Sequence, residues 1–282
     1  TRHSTLFPYT TLFRSATREW RELYAALDCA AVAAIHPFYT ASIREFEAAG
    51  RAAIGSAPVG LHGTAAWLQS VGAAANVGQA QIDAAKNRIL PAIQGALARL
   101  PIRGRITLSG YEGSELLVAR LLVESGADLR YVGTACPRTG WSDADREWLE
   151  SKGVHVQFRA SLEQDLEAMA EWQPDLAIGT TPVVQAAKEL SIPALYFTNL
   201  ISARPLMGPA GAGSLAAVIN AAIGNKVRFD QMKAFFGDTG TAHAAGVWEG
   251  ALGVPRDRPE FKAETRRRLQ KLLRKIKAEE MI

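Results

Sequence analysis

The sequence has 282 residues, which is long enough for one large domain or two smaller domains with buried cores. Hydrophobic residues make up 48% of it and charged residues 21%, and no apolar run is long enough to predict a transmembrane helix. The net charge of +4 arises from a basic tail over residues 262–277, and the rest of the chain is close to neutral.

The two cysteines, Cys29 and Cys136, are far apart in the sequence. They form neither a disulfide framework nor a CxxC metal-binding pair, and no signal-peptide pattern opens the chain. The expected location is therefore the reducing cytoplasm.

The first fifteen residues, TRHSTLFPYTTLFRS, have neither a helical nor an alternating pattern of apolar residues. They look like a translated sequencing adapter fused in frame, and the chain begins at Thr1 without an initiator methionine. Residues 1–15 are therefore predicted to be a foreign leader. An authentic N-terminal arm is the alternative. If the leader is an adapter, we expect an upstream part of the protein to be missing.

Residues 16–100 are predicted to form part of a Rossmann-like domain with additional helices. A helix from Ala16 is followed by an apolar strand that ends before Pro37, because proline cannot donate a hydrogen bond to a neighbouring strand. Gly50 is the expected C-terminal cap of the next helix, and Pro101 ends the last one. The predicted strands cover residues 30–35 and 52–54, and the predicted helices cover residues 39–49, 64–75 and 79–100.

In residues 101–205, strands and helices alternate five times with short connections. Such alternation is typical of a parallel sheet covered by helices on both faces, and it predicts a Rossmann-like α/β domain. Ser142 and Ser161 are the expected N-caps of two of the helices. The predicted strands are RITLSG, DLRYVGT, VHVQFR, PDLAIGT and IPALYFT.

Residues 206–282 are predicted to form C-terminal helices and a basic tail. A Gly- and Pro-rich loop leads to two helices, SLAAVINAAIG and KVRFDQMKAFFG, and the flexible stretch GDTGTAHAAG follows. In the tail, Leu269, Leu272 and Ile276 recur at helical spacing beside a basic face. Such a face binds a partner helix, an anionic surface or nucleic acid, or it is a solvated helix end.

The predicted fold class is thus α/β, with two Rossmann-like parallel-sheet domains followed by C-terminal helices.

In parallel sheets of this kind, ligands bind beyond the carboxyl ends of the strands. The segment SGYEGSE lies at such an end but lacks a nucleotide-binding glycine motif, and Cys136 has no neighbour in the sequence that would activate it. His36 fits a hydrogen-bonded residue at a strand end, and GTTP fits a helix start with a hydroxyl cap. The residues alone therefore indicate a cleft between two domains without fixing its chemistry.

Three long segments carry a resemblance to a known family: IHPFYTASIREFEAAGR, ITLSGYEGSELLVARLLVESGADLRYVGTACPRT and ALYFTNLISARPLMGPAGAGSLA. They resemble the Y subunits of chlorophyllide a reductases, over residues 16–250 or so. More distantly, the chain is similar to the nitrogenase component 1 family, whose subunits stack three Rossmann-like domains. The resemblance implies that this sequence holds most of the second domain, all of the third and the C-terminal helices.

The resemblance implies an oxidoreductase subunit. In this family, an ATP-driven iron–sulfur reductase, the X subunit, passes electrons to a heterotetramer of Y and Z subunits. A 4Fe-4S cluster relays them to chlorophyllide a, whose C7=C8 double bond in ring B is reduced during bacteriochlorophyll synthesis without light. The Y-subunit cysteines that hold the cluster lie in the first domain, so the resemblance implies that this chain lacks them and is inactive by itself. Neither Cys29 nor Cys136 is expected to replace them.

The resemblance also implies a set of site residues. The nitrogenase relatives bind their metal cofactor through a cysteine after the strand that matches residues 30–35, and through a histidine near the position of Thr198. This sequence has His36 at the first place and no histidine at the second, which fits a pocket for a tetrapyrrole. The candidate catalytic residues are His36 and Tyr39, as proton donors to the reduced ring. The candidate substrate-binding residues are Tyr111, Glu112, Thr198 and Asn199.

Other classes of function also fit the residues. Two Rossmann-like lobes could clasp a small ligand without redox activity, as periplasmic binding proteins do. A nucleic-acid or assembly factor that acts through residues 262–282 would show steeply salt-dependent binding. Within the wider family, the protochlorophyllide-reducing subunits are the relatives most easily confused with this one. We expect the Z and X subunits and chlorophyllide a as partners, with no nucleic acid and no transmembrane segment.

Overall fold

The computed structural model of the chain describes residues 25–55 and 57–236, together with Arg267. The predicted leader, the start of the helix predicted from Ala16, the segment GDTGTAHAAG and the basic tail apart from Arg267 lie outside the described residues. The described residues up to Gly224 belong to one compact unit, and Asn225 begins a second. No helix in the described ranges is both long and apolar enough to cross a membrane.

A small parallel sheet comes first along the chain. Strand β1 (Ala31–Ala33) pairs with strand β2 (Ala52–Ile54), and helix α1 (Thr40–Ala48) connects them. Gly50 follows this helix with a φ of 75°, a left-handed conformation that glycine adopts without strain. The predicted role of Gly50 at the helix end is therefore confirmed, whereas β1 is shorter than the strand predicted over residues 30–35.

Two helices follow the small sheet, α2 (Gly60–Ala74) and α3 (Gln79–Arg99), and they pack against each other. The predicted bounds of α3, from residue 79 to the proline at 101, are confirmed to within a residue. Helix α2 begins at Gly60, earlier than the predicted start at Thr64.

The start of α2 is satisfied by a distant side chain. The hydroxyl of Thr64, the predicted first residue, donates to the carbonyl oxygen of Gly60 (2.6 Å) inside the helix and caps nothing. The N–H groups of Leu61 and His62 donate instead to the carboxylate of Glu124. Because the first N–H groups of a helix need an acceptor, this remote carboxylate allows the helix to start at Gly60.

Five strands and four helices then alternate to form the larger sheet. Their bounds are β3 (Arg105–Gly110), α4 (Glu115–Glu124), β4 (Asp128–Thr134), α5 (Asp143–Ser151), β5 (His155–Phe158), α6 (Leu162–Trp172), β6 (Leu176–Gly179), α7 (Thr181–Glu189) and β7 (Ala194–Tyr196). All paired strands are parallel, in the order β5-β4-β3-β6-β7. The order reverses between β3 and β6, as in Rossmann-like sheets, and the predicted α/β class is confirmed.

The last strand of this sheet ends earlier than predicted. The segment IPALYFT was expected to be extended throughout, but helix α8 (Phe197–Ser202) begins directly after β7. The side chain of Phe197 is only 2% exposed, and its burial in the core turns the chain at this point. Thr198 and Asn199 therefore lie in the first turn of a short helix that follows the strand directly.

The two predicted serine caps have different outcomes. The hydroxyl of Ser161 accepts the N–H of Gln164 (3.3 Å), and the Gln164 side chain accepts the N–H of Ser161 (2.9 Å), which completes a capping box at α6. Ser142 precedes α5 as predicted, but its hydroxyl bonds to the backbone of Thr139 and caps no helical N–H group. Ser142 is thus the N-cap residue of α5 as predicted, but its side chain makes no capping hydrogen bond.

Two hydrophobic clusters lie between the larger sheet and its helices: a small one of Met169, Ala177, Val183 and Ala187, and a much larger one that contains the residues described next. Ile106 and Leu108 on β3, and Leu121 and Leu122 on α4, have no exposed surface. Helix α4 is buried along nearly its whole length and contacts β4, α5 and α2. Burial of each such side chain contributes about 1.5–3 kcal/mol, so this part of the chain dominates the stability of the fold.

Helices follow the larger sheet, as predicted. After α8 come α9 (Gly208–Ala212) and α10 (Ala216–Gly224), and Leu215 and Ile219 join the same core. Helix α11 (Lys226–Phe236) belongs to the second compact unit, where the N–H groups of Arg228 and Phe229 both donate to the carbonyl oxygen of Asn225. The two helices predicted in this region are confirmed.

Candidate functional site

The reversal of strand order leaves a crevice beyond the carboxyl ends of β3 and β6. A cavity of about 300 Å³ lies there. Its wall contains two tyrosines, three threonines, an asparagine and a glycine: Tyr111, Tyr196, Thr180, Thr181, Thr198, Asn199 and Gly179. The wall therefore offers aromatic surface together with hydroxyl and amide groups that can form hydrogen bonds.

The structure brings the four predicted substrate-binding residues together at this cavity. Tyr111, Thr198 and Asn199 line it, and Glu112 accepts a hydrogen bond from the hydroxyl of Thr198. The Tyr111 side chain is 63% exposed, so a ligand can reach its ring. The bond between Glu112 and Thr198 joins the loop after β3 to helix α8. The role of these residues in substrate binding stays a prediction.

Four other residues of the wall, Gly179, Thr180, Thr181 and Tyr196, were not among the predicted site residues. Thr180 and Thr181 come from the segment GTTP, which was expected to cap a helix, but the hydroxyl of Thr180 makes no capping hydrogen bond to α7. Tyr196 is the last residue of β7 and was predicted to lie inside a longer strand. Their positions at strand ends were the signal that could have identified them.

A buried carboxylate holds the loop after β3. Glu115, the first residue of α4, has no exposed surface. It accepts the N–H of Glu112 (2.7 Å), the N–H of Gly113 (2.9 Å) and the hydroxyl of Thr134 (2.9 Å). Burial raises the pKa of Glu115, while the hydrogen bonds from the backbone and from Thr134 act in the opposite direction. Sequence reasoning missed this residue because an acid in the first turn of a helix is ordinary.

A second buried acid lies on helix α6. Asp165 accepts a hydrogen bond from the phenol of Tyr131 (2.8 Å). Burial raises the pKa of Asp165 to about 6; the bond from Tyr131 lowers it, and the charge of Glu115 raises it. Burial, together with the charge of Asp165, also raises the pKa of Tyr131. Asp165 therefore takes up a proton a little below neutral pH.

The two candidate catalytic residues lie after β1 and do not line the cavity. The rings of His36 and Tyr39 are 5.2 Å apart between centroids and tilted by 48°. Tyr39 is 63% exposed. The carbonyl oxygen of His36 accepts the N–H of Tyr39, but its Nδ1 atom is buried and has no hydrogen-bond partner among the described residues.

The loop that carries His36 touches the loops of the larger sheet. A Cβ atom placed on Gly113 would lie 3.0 Å from the ring of Phe38, so this ring packs closely on the glycine. The hydroxyl of Thr139 donates to the carbonyl oxygen of Pro37 (2.8 Å). The carboxyl ends of β1 and β3 are thus joined through their loops, although His36 and Tyr39 stand apart from the cavity wall.

Cys136 has the character of a structural thiol. Burial raises its pKa, and the neighbouring charge of Glu115 raises it further, while the hydroxyl of Thr134 lowers it. A thiol with a raised pKa stays protonated near neutral pH and is a poor nucleophile. Within the described ranges, no three histidine, cysteine or acidic side chains are grouped so that they could hold a metal ion.

Comparisons with known proteins identify relatives of the chain. Residues 10–223 match the family described as nitrogenase component 1 type oxidoreductase. Over 265 residues the chain is 67% identical to the chlorophyllide reductase 52.5 kDa chain of Cereibacter sphaeroides, covering 94% of this chain and 52% of that relative. It is 63% identical over 265 residues to the chain of the same description from Rhodobacter capsulatus, covering 94% of this chain and 53% of the relative.

The chain spans about half the length of the curated relatives that it matches. These relatives confirm the resemblance found in the three sequence segments. Among solved structures, nitrogenase Cp1 at pH 6.5 is similar with a TM-score of 0.46 and 18% identity, over 68% of this chain and 43% of that chain. At this TM-score the likeness carries no weight for function.

Proposed function

This chain belongs to the nitrogenase component 1 type oxidoreductase family, and we propose that it is the C-terminal part of the Y subunit of a chlorophyllide a reductase. The observation that carries the proposal is its 67% identity to a chlorophyllide reductase chain over 94% of its own length. The proposed reaction is the reduction of the C7=C8 double bond in ring B of chlorophyllide a. The proposed partners are the Z subunit and the ATP-dependent X subunit, in the cytoplasm.

The iron–sulfur cluster of such a complex does not fit the residues of this chain. A 4Fe-4S cluster is held by four ligands, usually cysteine thiolates, and the chain has only Cys29 and Cys136. Both cysteines are free, and the thiol of Cys136 favours its protonated form. We therefore assign no step of electron transfer to this chain and place the cluster ligands elsewhere in the complex.

The cavity at the larger sheet suits one edge of a chlorin. Its volume of about 300 Å³ is at the low end for a drug-sized ligand, so it admits an edge and not a whole macrocycle. The exposed rings of Tyr111 and Tyr196 offer flat apolar surface to such an edge. The amide NH2 of Asn199 can donate to carbonyl and carboxylate oxygens at the chlorin periphery, whereas the hydroxyl of Thr198 gives its proton to Glu112 and can only accept.

We assign proton delivery to the loop after β1. The buried Nδ1 atom of His36 has no hydrogen-bond partner in the described part of the chain, so no contact at that atom fixes the orientation of the ring. The phenol of Tyr39 is exposed beside it. A positioned acid of this kind contributes about a hundredfold or more to the rate of a proton-transfer step.

The test uses the complete complex with the full-length Y subunit, its Z and X partners, ATP and chlorophyllide a. Turnover is followed by absorption, because reduction of ring B shifts the long-wavelength band of the chlorin far to the red. We expect His36→Ala and Tyr39→Phe to lower kcat about a hundredfold if they supply protons. Gln185→Ala is the control, since Gln185 is exposed on α7 and does not line the cavity.

Each alternative outcome has a distinct meaning. Unimpaired turnover in both variants would remove His36 and Tyr39 from the mechanism. Reduction of protochlorophyllide instead of chlorophyllide a would assign the chain to the neighbouring reductase. Chlorin binding without turnover, with all partners and ATP present, would favour the two-lobed binding module without redox activity.

A further inference from the structure

The loop formed by residues 111–114, here called the β3 loop, touches three separate parts of the molecule. Tyr111 lines the cavity, Glu112 accepts a hydrogen bond from Thr198 on α8, and Gly113 packs against the ring of Phe38 after β1. The position of this short loop therefore affects the cavity wall, helix α8 and the loop that carries His36 at the same time.

A single side chain fixes the backbone of the β3 loop. The carboxylate of Glu115 accepts the N–H groups of Glu112 and Gly113 at 2.7 and 2.9 Å. It also accepts the hydroxyl of Thr134 at 2.9 Å, which ties the loop to the end of β4. All three contacts are made by donors, so they favour the ionised carboxylate, which accepts hydrogen bonds and donates none.

The packing around Glu115 leaves its side chain little freedom. It has no exposed surface, and a Cβ atom on Gly110 would lie 2.5 Å from its Oε1 atom. The same Cβ atom would lie 2.9 Å from the ring of Phe197. The glycine at the end of β3 thus provides the space into which the carboxylate fits.

From this geometry we propose that Glu115 is a positioning residue, which sets the place of Tyr111 and Glu112 in the cavity wall and thereby the affinity of the site for a chlorin, without touching the ligand. The effect on chlorin affinity rests on the proposed function. The effect on the β3 loop rests on the hydrogen bonds alone.

The first measurement is amide hydrogen exchange of the β3 loop in the complete complex. In Glu115→Gln the shape of the side chain is kept, but an amide NH2 replaces one acceptor oxygen and faces a donor. We expect the amides of Glu112 and Gly113 to exchange about tenfold faster or more, while those of β3 and β4 keep their protection. The matched control is Asp165→Asn, which makes the same change in a buried acid that bonds to Tyr131 and not to the loop.

The second measurement separates positioning from a general loss of structure. We expect Glu115→Gln to raise the KM for chlorophyllide a about tenfold with kcat changed by less than about twofold. In a Thr198→Val background, where the β3 loop has already lost its bond to α8, we expect Glu115→Gln to raise KM by less than in the parent. Thr134→Val removes one of the three donors and is expected to change exchange and KM in the same direction by a smaller factor.

The outcomes that overturn the proposal are specific. Unchanged exchange of the Glu112 and Gly113 amides would show that Glu115 does not hold the loop. Faster exchange with an unchanged KM would show that the loop does not govern the affinity. If Glu115→Gln does not fold, Thr134→Val decides by the same two criteria. If the unmodified complex binds no chlorin, the proposed function fails, and amide exchange still decides whether Glu115 positions the loop.

Discussion

Gly110, the last residue of β3, occupies a place where a side chain would clash with its neighbours. The carboxylate of Glu115 and the ring of Phe197 fill the space that a Cβ atom would take, and both side chains are buried. Gly110 has no positive φ, so it is required by close packing and not by backbone conformation. The packed structure thus explains the glycine at this strand end: its neighbours leave no room for a side chain.

We expect Gly110→Ala to lower the free energy of unfolding by about 1–3 kcal/mol, because the added methyl group overpacks a buried site. Chemical denaturation of the purified protein measures this loss. The control is Gly95→Ala, since Gly95 lies exposed in α3 with open space around its Cβ position. That change is expected to stabilise by up to about 1 kcal/mol, as alanine is the better helix former. Equal effects of the two changes would contradict the packing argument.

Asp165 makes the stability depend on pH. Its pKa rises from 3.8 to about 6 in the folded protein, so the folded state binds the proton more tightly than the unfolded chain. The stabilisation from that proton is fully present below a pH of about 4 and is lost as the pH rises through about 6.

We expect Asp165→Asn, which can still accept the Tyr131 hydroxyl, to remove this dependence. Relative to the variant, the parent protein should lose up to about 2–3 kcal/mol of unfolding free energy between a pH of about 4 and about 7. Denaturant unfolding at a series of pH values measures the difference. Parallel pH profiles for the two proteins would show that Asp165 titrates normally.

At the scale of single residues, the sequence located part of the site. Strand-end positions and family resemblance predicted Tyr111, Glu112, Thr198 and Asn199 as site residues; the fold brings them to one place, and their role in binding stays a prediction. Glu115 was not predicted because its sequence context fits an ordinary helix start. Its role depends on a loop that folds back and donates two N–H groups to its carboxylate. The sequence contains no local trace of such a contact.

Among the helices, α4 and α5 are joined by a buried ion pair. Arg120 on α4 bonds to Asp145 on α5, and the two residues are 8% and 7% exposed. The guanidinium of Arg120 also lies 4.7 Å from the centroid of the Trp148 ring. Removal of one member would leave a buried charge without its partner.

We expect Arg120→Ala to destabilise the protein by about 3–5 kcal/mol, measured by chemical denaturation. The control is Arg138→Ala, which removes the guanidinium of an exposed pair with Asp143 at 2.6 Å. Water and salt screen such a pair, so little change in stability is expected there. A loss as large for Arg138→Ala as for Arg120→Ala would refute this distinction between buried and exposed pairs.

Element positions were predictable where the local pattern suffices. Alternating strands and helices gave the bounds of β3 and β4 directly, and Ser161 was correctly predicted as the N-cap of α6, although its reciprocal bond with Gln164 was not predicted. The start of α2 was missed because Glu124, a residue far along the chain, satisfies its N–H groups. The end of β7 was missed because burial of Phe197, a tertiary effect, overrides its preference for an extended backbone.

For the whole chain, the α/β class followed from the sequence, whereas the contact between the two sheets did not. That contact consists of Phe38 against Gly113, the bond from Thr139 to Pro37, and the ring of Trp141 over Gly55. Each pair joins loops that are remote in sequence, and no local period encodes such pairing. The division of the chain into residues 16–100, 101–205 and 206–282 stays a prediction.

The strand order of the larger sheet also determines when its cavity can exist during synthesis. Strands β3, β4 and β5 leave the ribosome in succession and pair as neighbours, but the other edge of β3 must wait for β6. Until then the nascent chain presents an apolar strand edge, which chaperones bind and which other chains can pair with. The wall of the cavity also contains Tyr196, Thr198 and Asn199, so the cavity is completed only after β6, β7 and α8 are in place. Truncation or a translational pause before residue 176 would therefore yield a chain that is aggregation-prone and, at the same time, has no site.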